Sequence, residues 1–234
     1  MASMVLFQTF TVIYLSNDLF YKKRAKNFRS PINNIFIYTE GQTEKVYAND
    51  FNVFLNKTNY RIHFKEISTD IVKLISRAEK LIKTELVKNE DDSVWVIFDY
   101  EDNKFNAKEL NQILDKYNKL NKSYPNKLHI IISNPCFELW FLLHFDAQLL
   151  SCVNNSEVID KLKCHILDYK KGKSYFKKLE NKLMFAIKNA KRQQDSQRKD
   201  GKDIYDKNAN PCTTVNQFVE YILDIQSSFS LVVF

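Results

Sequence analysis

Short apolar runs separated by longer amphipathic segments set the pattern of the first 150 residues. Near-continuous apolar runs at residues 35–38, 93–98 and 128–132 are too short for helices and predict buried strands. Residues 60–67 alternate between apolar and polar side chains, which predicts a further strand. Four strands are therefore expected in this part of the chain.

The segments between these strands predict helices. Residues 44–55, 69–88 and 106–120 carry apolar side chains at helical spacing, with lysines between them in the second segment. Asn134-Pro135 favours the start of another helix, which would run to about residue 144. Strands that alternate with helices form right-handed crossovers, so the pattern predicts an α/β fold with a mainly parallel sheet flanked by helices.

The pattern changes in the C-terminal third, which is helical in character and rich in lysine from residue 161 to residue 202. Residues 193–207 lack apolar periodicity and predict a mobile loop, and residues 215–225 predict a closing helix. The chain is thus expected to comprise an N-terminal extension with a basic arm (1–30), an α/β core (31–150) and a basic helical region that packs on the core (151–234).

Composition narrows the class of partner. The 234 residues carry a formal net charge of +7 and a pI near 9.0, which favours an anionic partner such as nucleic acid. The four cysteines form no CxxC pair, so reduced thiols in a cytoplasmic protein are expected. The apolar run near the N-terminus is too short to cross a bilayer, and no membrane association is expected. Homo-oligomerisation stays open.

Acidic side chains follow two of the predicted strands. Glu40 precedes Gly41, where a turn is expected because glycine tolerates backbone conformations that other residues resist. Glu44 lies in the first turn of the next helix, where it either points toward the same sheet edge as Glu40 or complements the helix dipole, with Thr43 as the N-cap. Asp99, Glu101 and Asp102 follow the strand at 93–98. Carboxyl ends of parallel strands share one sheet edge, and clustered carboxylates repel one another unless a cation neutralises them. The sequence therefore predicts a Mg²⁺ or Mn²⁺ site at this edge.

Two further groups of residues leave alternatives open. Glu138, near the end of the third apolar strand, is either a metal or substrate ligand or a first-turn acid that complements the helix dipole, with Asn134 as the N-cap. The lysine-rich region, with Tyr169, Tyr175 and Phe176 interleaved, is either a solvated basic face or a nucleic-acid surface that combines phosphate contacts with base stacking. The candidate nucleic-acid contacts are Lys170, Lys171, Lys173, Lys177, Lys178 and Arg192.

Four strings together resemble the RloB family, which is also represented by the second component of AbiL-type abortive infection systems. They are IYTEGQTEKVY, VIFDYED, IISNPCFELWFLLHF and NPCTTV, and the resemblance spans about residues 35–225. The string SNPCFELWFLLHF carries most of the specificity, because the EGxTE and DxE patterns alone are common.

The resemblance implies a Toprim-like domain related to OLD-family nucleases. Glu40 then corresponds to the Toprim glutamate, Glu44 to the second acid of an ExxxE pattern, and Asp99 to the first aspartate of the DxD pair. Glu101 departs from that pattern, since the family's second acid is aspartate. By the same resemblance, Lys170 or Lys173 would stabilise the transition state, as a lysine does in OLD-like nucleases.

The expected function is a Mg²⁺-dependent nuclease that acts in bacterial defence against phage. The resemblance implies an AAA or ABC-like ATPase partner and makes tRNA a plausible substrate, without deciding between RNA and DNA. The alternative is a non-catalytic subunit that binds nucleic acid or regulates the ATPase, and the glutamate at position 101 motivates it.

Overall fold

A five-stranded sheet lies at the centre of the fold. The computed structural model describes residues 31–85, 89–100, 107–146 and 154–230. Within these ranges the strands follow the spatial order β2-β1-β3-β4-β5; the first four in the chain run parallel, and the last pairs antiparallel with β4. The strands are β1 Asn33–Thr39, β2 Tyr60–Ile67, β3 Ser93–Asp99, β4 Leu128–Asn134 and β5 Cys212–Thr213.

Helices connect the strands and complete the C-terminal region. A short 3-10 turn at Glu180–Lys182 joins two of them. The helices of the described residues are α1 Gln42–Asp50, α2 Asn52–Leu55, α3 Ile71–Thr84, α4 Ala107–Ser123, α5 Glu138–Leu142, α6 Asn155–His165, α7 Phe176–Leu179, α8 Leu183–Lys199 and α9 Val215–Ser230.

The two faces of the sheet bury separate hydrophobic clusters. Because side chains alternate along a strand, Ile35 and Ile37 of β1 face one cluster and Phe36 and Tyr38 face the other. Helices α3 and α4 cover the second face, whereas the remaining helices contribute to the first. The predicted α/β fold, mostly parallel and flanked by helices, is confirmed. None of the helices in the described ranges combines the length and apolar character that crossing a bilayer requires.

Periodicity located several elements closely. Strand β2 has the bounds that alternation predicted, and its residues alternate between half-buried and exposed, as expected at a sheet edge. The buried side of α3 consists of the six residues that helical spacing predicted: Ile71, Leu74, Ile75, Ala78, Leu81 and Ile82. The proposed extension at residues 1–30 lies outside the described residues.

The prediction of a loop at residues 193–207 is wrong for its first half, because α8 continues to Lys199. Gln194 and Gln197 are buried, and their amide groups replace apolar contacts. Gln194 Nε2 donates to the Thr213 carbonyl and to Asn216 Oδ1, both at 2.7 Å, and Gln197 Nε2 donates to the Pro211 carbonyl at 3.1 Å. A helix face buried through amides leaves no hydrophobic period in the sequence.

Two other local predictions are also corrected. The segment 44–55 is not one helix but divides at Phe51 into α1 and α2. Asn134 does not cap a helix, because it is the last residue of β4 and its side chain donates to the carbonyls of Lys207 and Ala209. Helix α5 begins later, at Glu138, with Phe137 before it. Tertiary hydrogen bonds at the sheet edge thus override the local capping signal.

Lys127 directly precedes β4 and connects the amino end of that strand to the chain before β3. Its side chain is 9% exposed, and its Nζ donates to the carbonyls of Asn89, Glu90 and Asp92. We expect Lys127→Met to lower the free energy of unfolding by about 2 kcal/mol, since it removes the donor shared by three carbonyl groups, of which that of Asp92 is buried. Urea denaturation measures this loss, and Lys122→Met, which changes an exposed lysine of α4, serves as the control. Equal stability of the two variants would contradict the prediction.

Candidate functional site

Glu40 and Asp99 meet at the carboxyl ends of the neighbouring strands β1 and β3. The Glu40 amide donates to the Ile97 carbonyl at 3.0 Å, which extends the strand pairing to this residue. Glu40 Oε2 in turn accepts a hydrogen bond of 2.9 Å from the Asp99 amide. Both side chains are buried. The parallel sheet therefore brings together the two acids that the sequence placed at separate strand ends.

Glu44 joins this pair from the first turn of α1. The position of its carboxylate explains why a glycine precedes the helix. Gly41 has an extended backbone (φ −130°), so the expected need for an unusual turn conformation is wrong. A Cβ atom at this position would lie 2.7 Å from Glu44 Oε2. Glycine is instead favoured because it leaves room for the Glu44 carboxylate, which is buried over it.

Glu138 is the fourth buried acid and comes from the start of α5, after β4. It is 1% exposed. The hydroxyl group of Tyr169 donates to Glu138 Oε1 at 2.5 Å, and Lys171 Nζ lies 3.8 Å from the same oxygen. Glu138 thus belongs to the acidic cluster and is held by groups of the segment that follows α6.

These four acidic side chains line a cavity of about 430 Å³ at the carboxyl ends of the parallel strands. The segment after α6 forms part of its wall because the Gly172 amide donates to Thr43 Oγ1 of α1 at 3.0 Å. Gly172 adopts φ +75°, a conformation that favours glycine and that lets the chain turn close to α1. The lining residues are Glu40, Gly41, Gln42, Thr43, Glu44, Thr69, Asp99, Phe137, Glu138, Lys171 and Gly172.

The acids of the cavity interact unfavourably when all are ionised. Burial raises the pKa of Glu44 to about 7, and the negative charges of Glu138 and Glu40 add to this effect. Burial also raises the pKa of Asp99 well above its usual range, as do the charges of Glu44, Glu138 and Glu40. Without added positive charge, the cavity therefore retains protons that free carboxylic acids would release at neutral pH.

The donor set suits a hard divalent cation that keeps open coordination positions. Among the described residues, no three Asp, Glu, His or Cys side chains converge into a ready-made metal cage. Within the same ranges, Asp99 Oδ1 is buried without a hydrogen-bond partner. Mg²⁺ is usually held by only one or two carboxylates, with water and substrate phosphate completing its shell. Two of the carboxylates Asp99, Glu44 and Glu40 would make such a partial set, with the unpaired Asp99 Oδ1 as one of its oxygens.

The other predicted site residues are distributed differently. Glu101 and Asp102 lie outside the described residues. Lys170 and Lys173 are exposed, and Lys171 is the lysine that lines the cavity within the described part of the chain. Lys177, Lys178 and Arg192 are also exposed, and Lys178 pairs with Asp168 at 3.1 Å.

Of the two alternatives for the lysine-rich region, base stacking by its aromatic residues does not fit the structure. Tyr169, Tyr175 and Phe176 are buried in the hydrophobic cluster on the first face of the sheet. Tyr175 packs against Tyr169, and Phe176 against Phe51 of the α1–α2 junction. Their rings are therefore not available to nucleic-acid bases.

No sequence motif indicates that Tyr169 and Thr43 take part in the site. Both contacts join segments that lie about 30 and 130 positions apart in the chain, so no local spacing could indicate them. Gly172, the glycine of the string KKGK, is the sequence feature that indicates a tight turn here. That turn places Lys171, and not Lys170 or Lys173, in the lining of the cavity.

The hydrogen bond from Tyr169 gives a direct test of how Glu138 is held. We expect Tyr169→Phe to lower the free energy of unfolding by about 1.5 kcal/mol, because a buried carboxylate loses a charge-assisted hydrogen bond. Thermal or urea denaturation measures the effect. Tyr117→Phe, at a half-buried tyrosine of α4, is the matched control. A loss no larger than that of the control would show that Tyr169 does not stabilise Glu138.

Comparison with known proteins identifies one family. The family described as RloB-like protein matches residues 35–222, which is most of the chain and contains all four cavity acids. This match confirms the family predicted from the four sequence strings. Comparisons with curated proteins and with solved structures gave no match. The relation to Toprim and OLD-family nucleases stays a prediction.

Proposed function

Because the chain belongs to the RloB-like family, we propose that it is a metal-dependent nuclease that cleaves phosphodiester bonds in RNA or DNA. Family membership suggests a defence-associated protein. The proposal of nuclease activity goes further and is supported by one observation above all. Four buried carboxylates surround a cavity at the carboxyl edge of a parallel sheet, and one of their oxygens, Asp99 Oδ1, has no hydrogen-bond partner among the described residues.

A phosphodiester group could not approach four carboxylates without positive charge beside it. Two of the carboxylates Asp99, Glu44 and Glu40 would hold Mg²⁺ or Mn²⁺, and Glu138 would complete the negative field around the site. When bound, the ion would polarise the scissile phosphate and lower the pKa of a coordinated water molecule. A bound cation would offset the repulsion among the carboxylates, which accounts for their burial in one cavity.

Among the residues that the structure describes, Lys171 is the cation that lines the cavity. Its ammonium group lies beside Glu138, and the hydrogen bond between Gly172 and Thr43 fixes the segment that carries it. We propose that Lys171 binds a non-bridging oxygen of the phosphate and stabilises negative charge that develops during cleavage. Its ion pair with Glu138 would hold the side chain near that position before substrate arrives.

Purified protein tests the nuclease proposal directly. Transfer RNA, single-stranded RNA, single-stranded DNA and duplex DNA are incubated with Mg²⁺ or Mn²⁺, or with EDTA, and the new ends are sequenced. We expect cleavage of at least one substrate with the metals and none with EDTA. If no substrate is cleaved but nucleic acid is bound, the protein is better described as a binding or regulatory subunit, and the nuclease proposal fails.

The role in defence and the ATPase partner require a cellular test. We propose that this chain is the toxic effector and that an AAA or ABC-like ATPase encoded nearby restrains it until phage infection. Induced expression alone should slow growth and produce nucleic-acid ends, and coexpression of the ATPase should suppress both. Toxicity that is unchanged by the ATPase would contradict this form of control.

A further inference from the structure

A basic groove lies on the other face of the sheet, between α3 and the edge strand β2. Strand β2 exposes Arg61, His63 and Lys65 at alternate positions, so these side chains share one side of the edge. Phe36, whose ring faces α3, contacts the His63 ring and lies under the Lys65 ammonium group at 4.5 Å. The exposed basic positions of β2 therefore lie on the face that α3 covers.

Helix α3 supplies the other wall. Its exposed residues Lys73, Arg77 and Lys80 have the i, i+4, i+7 spacing that aligns side chains along one side of a helix. An ion pair between Arg77 and Glu66 joins this side of α3 to β2. The two basic rows thus face each other across a narrow gap.

The gap contains a cavity of about 290 Å³. Lys65 lines it from β2, and Arg77 and Lys80 line it from α3. Glu66 and Glu85 are also part of the lining, so the cavity itself carries one net positive charge. Outside it, Arg61 and Lys73 add two positive charges and Asp70, beside Lys73, adds one negative charge. Hydroxyl groups of Tyr38 and Thr84 provide hydrogen-bonding groups in the same lining.

The N-terminus of α3 lies next to the carboxylate cavity. Thr69 lines that cavity, and Asp70, the next residue, caps the N-terminus of α3 by accepting from the Lys73 amide at 2.9 Å. From this point the basic row extends along the helix. Lys73 and Lys80 are separated by about 10 Å along the axis at 1.5 Å per residue, which corresponds to about three nucleotide steps of a B-DNA strand at about 3.4 Å of duplex axis per step.

We propose that the groove between α3 and β2 binds the sugar-phosphate backbone of a nucleic acid strand next to the carboxylate cavity. The inference rests on the proposed nucleic-acid substrate and names the surface that binds it. Lysine and arginine contacts to phosphate set the position of the strand without reading its sequence. The groove and not the lysine-rich segment after α6 is then the main determinant of affinity.

Binding without metal tests the groove apart from catalysis. Fluorescence anisotropy with labelled single-stranded RNA and duplex DNA is measured in EDTA at several salt concentrations. The groove variant combines Lys65→Gln, Lys73→Gln and Lys80→Gln. The matched control combines Lys108→Gln, Lys119→Gln and Lys122→Gln, which remove the same charge from exposed positions of α4.

We expect the groove variant to bind at least about tenfold more weakly than the control, with the salt slope for single-stranded RNA smaller by about 2, as the loss of three phosphate contacts requires. Equal affinity of the two variants would overturn the inference. A third variant combines Lys170→Gln, Lys173→Gln and Lys177→Gln in the segment after α6. A loss of affinity confined to this variant would show that the nucleic-acid backbone binds that segment, and would refute the groove.

The two proposals fail in different ways. Groove-dependent binding without cleavage of any substrate would refute the nuclease and retain the groove. Metal-dependent cleavage with affinity unchanged in the groove variant would retain the nuclease and refute the groove. Circular dichroism and thermal melting of each variant establish that the compared proteins are folded.

Discussion

Asp99→Asn should reduce metal-dependent cleavage by at least about 1000-fold, because it replaces the carboxylate whose Oδ1 would be one of the oxygens that hold the cation. The same change should stabilise the metal-free protein, because burial and the charges of Glu44, Glu138 and Glu40 raise the pKa of Asp99, and a neutral asparagine avoids the free-energy cost of that shift. Initial cleavage rates and thermal melting in EDTA measure the two effects. Loss of activity together with a gain in stability is the signature expected of a metal ligand.

The matched control for this variant is Asp115→Asn, which makes the same chemical change at an exposed position of α4. It should alter neither rate nor stability appreciably. Cleavage that survives Asp99→Asn would remove Asp99 from the metal site. A variant that loses activity because it is less stable than the wild type would show that Asp99 acts as a structural group instead.

In EDTA, the free energy of unfolding should fall by about 3 kcal/mol as the pH rises from about 4.5 to about 7. The cause is Glu44, whose pKa is near 4.5 in the unfolded chain and about 7 in the folded protein. Between these values the folded protein retains a proton that the unfolded chain has released, so rising pH favours unfolding. Asp99, whose pKa is shifted in the same direction, should steepen the decline.

Urea denaturation at a series of pH values measures this dependence. Glu44→Gln should flatten it, whereas Glu180→Gln, at an exposed glutamate, should leave it unchanged. At neutral pH, Mg²⁺ should restore about 2.7 kcal/mol when its concentration is 100 times its dissociation constant. Stability that is flat between pH 4.5 and 7 in EDTA would show that Glu44 does not carry the charge penalty.

The site at the carboxyl ends of the strands shows how much of its position the strand pattern predicts. Glu40 and Asp99 could be placed from the sequence because each follows a short apolar strand, and parallel strands bring their carboxyl ends to one edge. That β1 and β3 are immediate neighbours is a property of the sheet order. It is this adjacency that lets the Asp99 amide donate to Glu40.

Buried polar side chains are the main reason why elements of this fold could not be predicted from the sequence. The second half of α8 was missed because Gln194 and Gln197 are buried through hydrogen bonds to backbone carbonyls, and such pairing has no period in the sequence. The aromatic residues after α6 were misread for a related reason. Tyr169, Tyr175 and Phe176 lie in a lysine-rich segment, yet the aromatic rings face the core while the lysines face solvent.

The sequence by itself determined the α/β architecture and the family, and it placed Glu40 and Asp99 after two of the parallel strands, since hydrophobic period and local motifs are properties of short segments. Only the tertiary structure decided that Lys171 reaches the cavity, that Tyr169 holds Glu138, and that basic rows of β2 and α3 face each other. Each of these contacts joins separate segments of the chain, and their distance is fixed by packing and hydrogen bonds that no local pattern encodes.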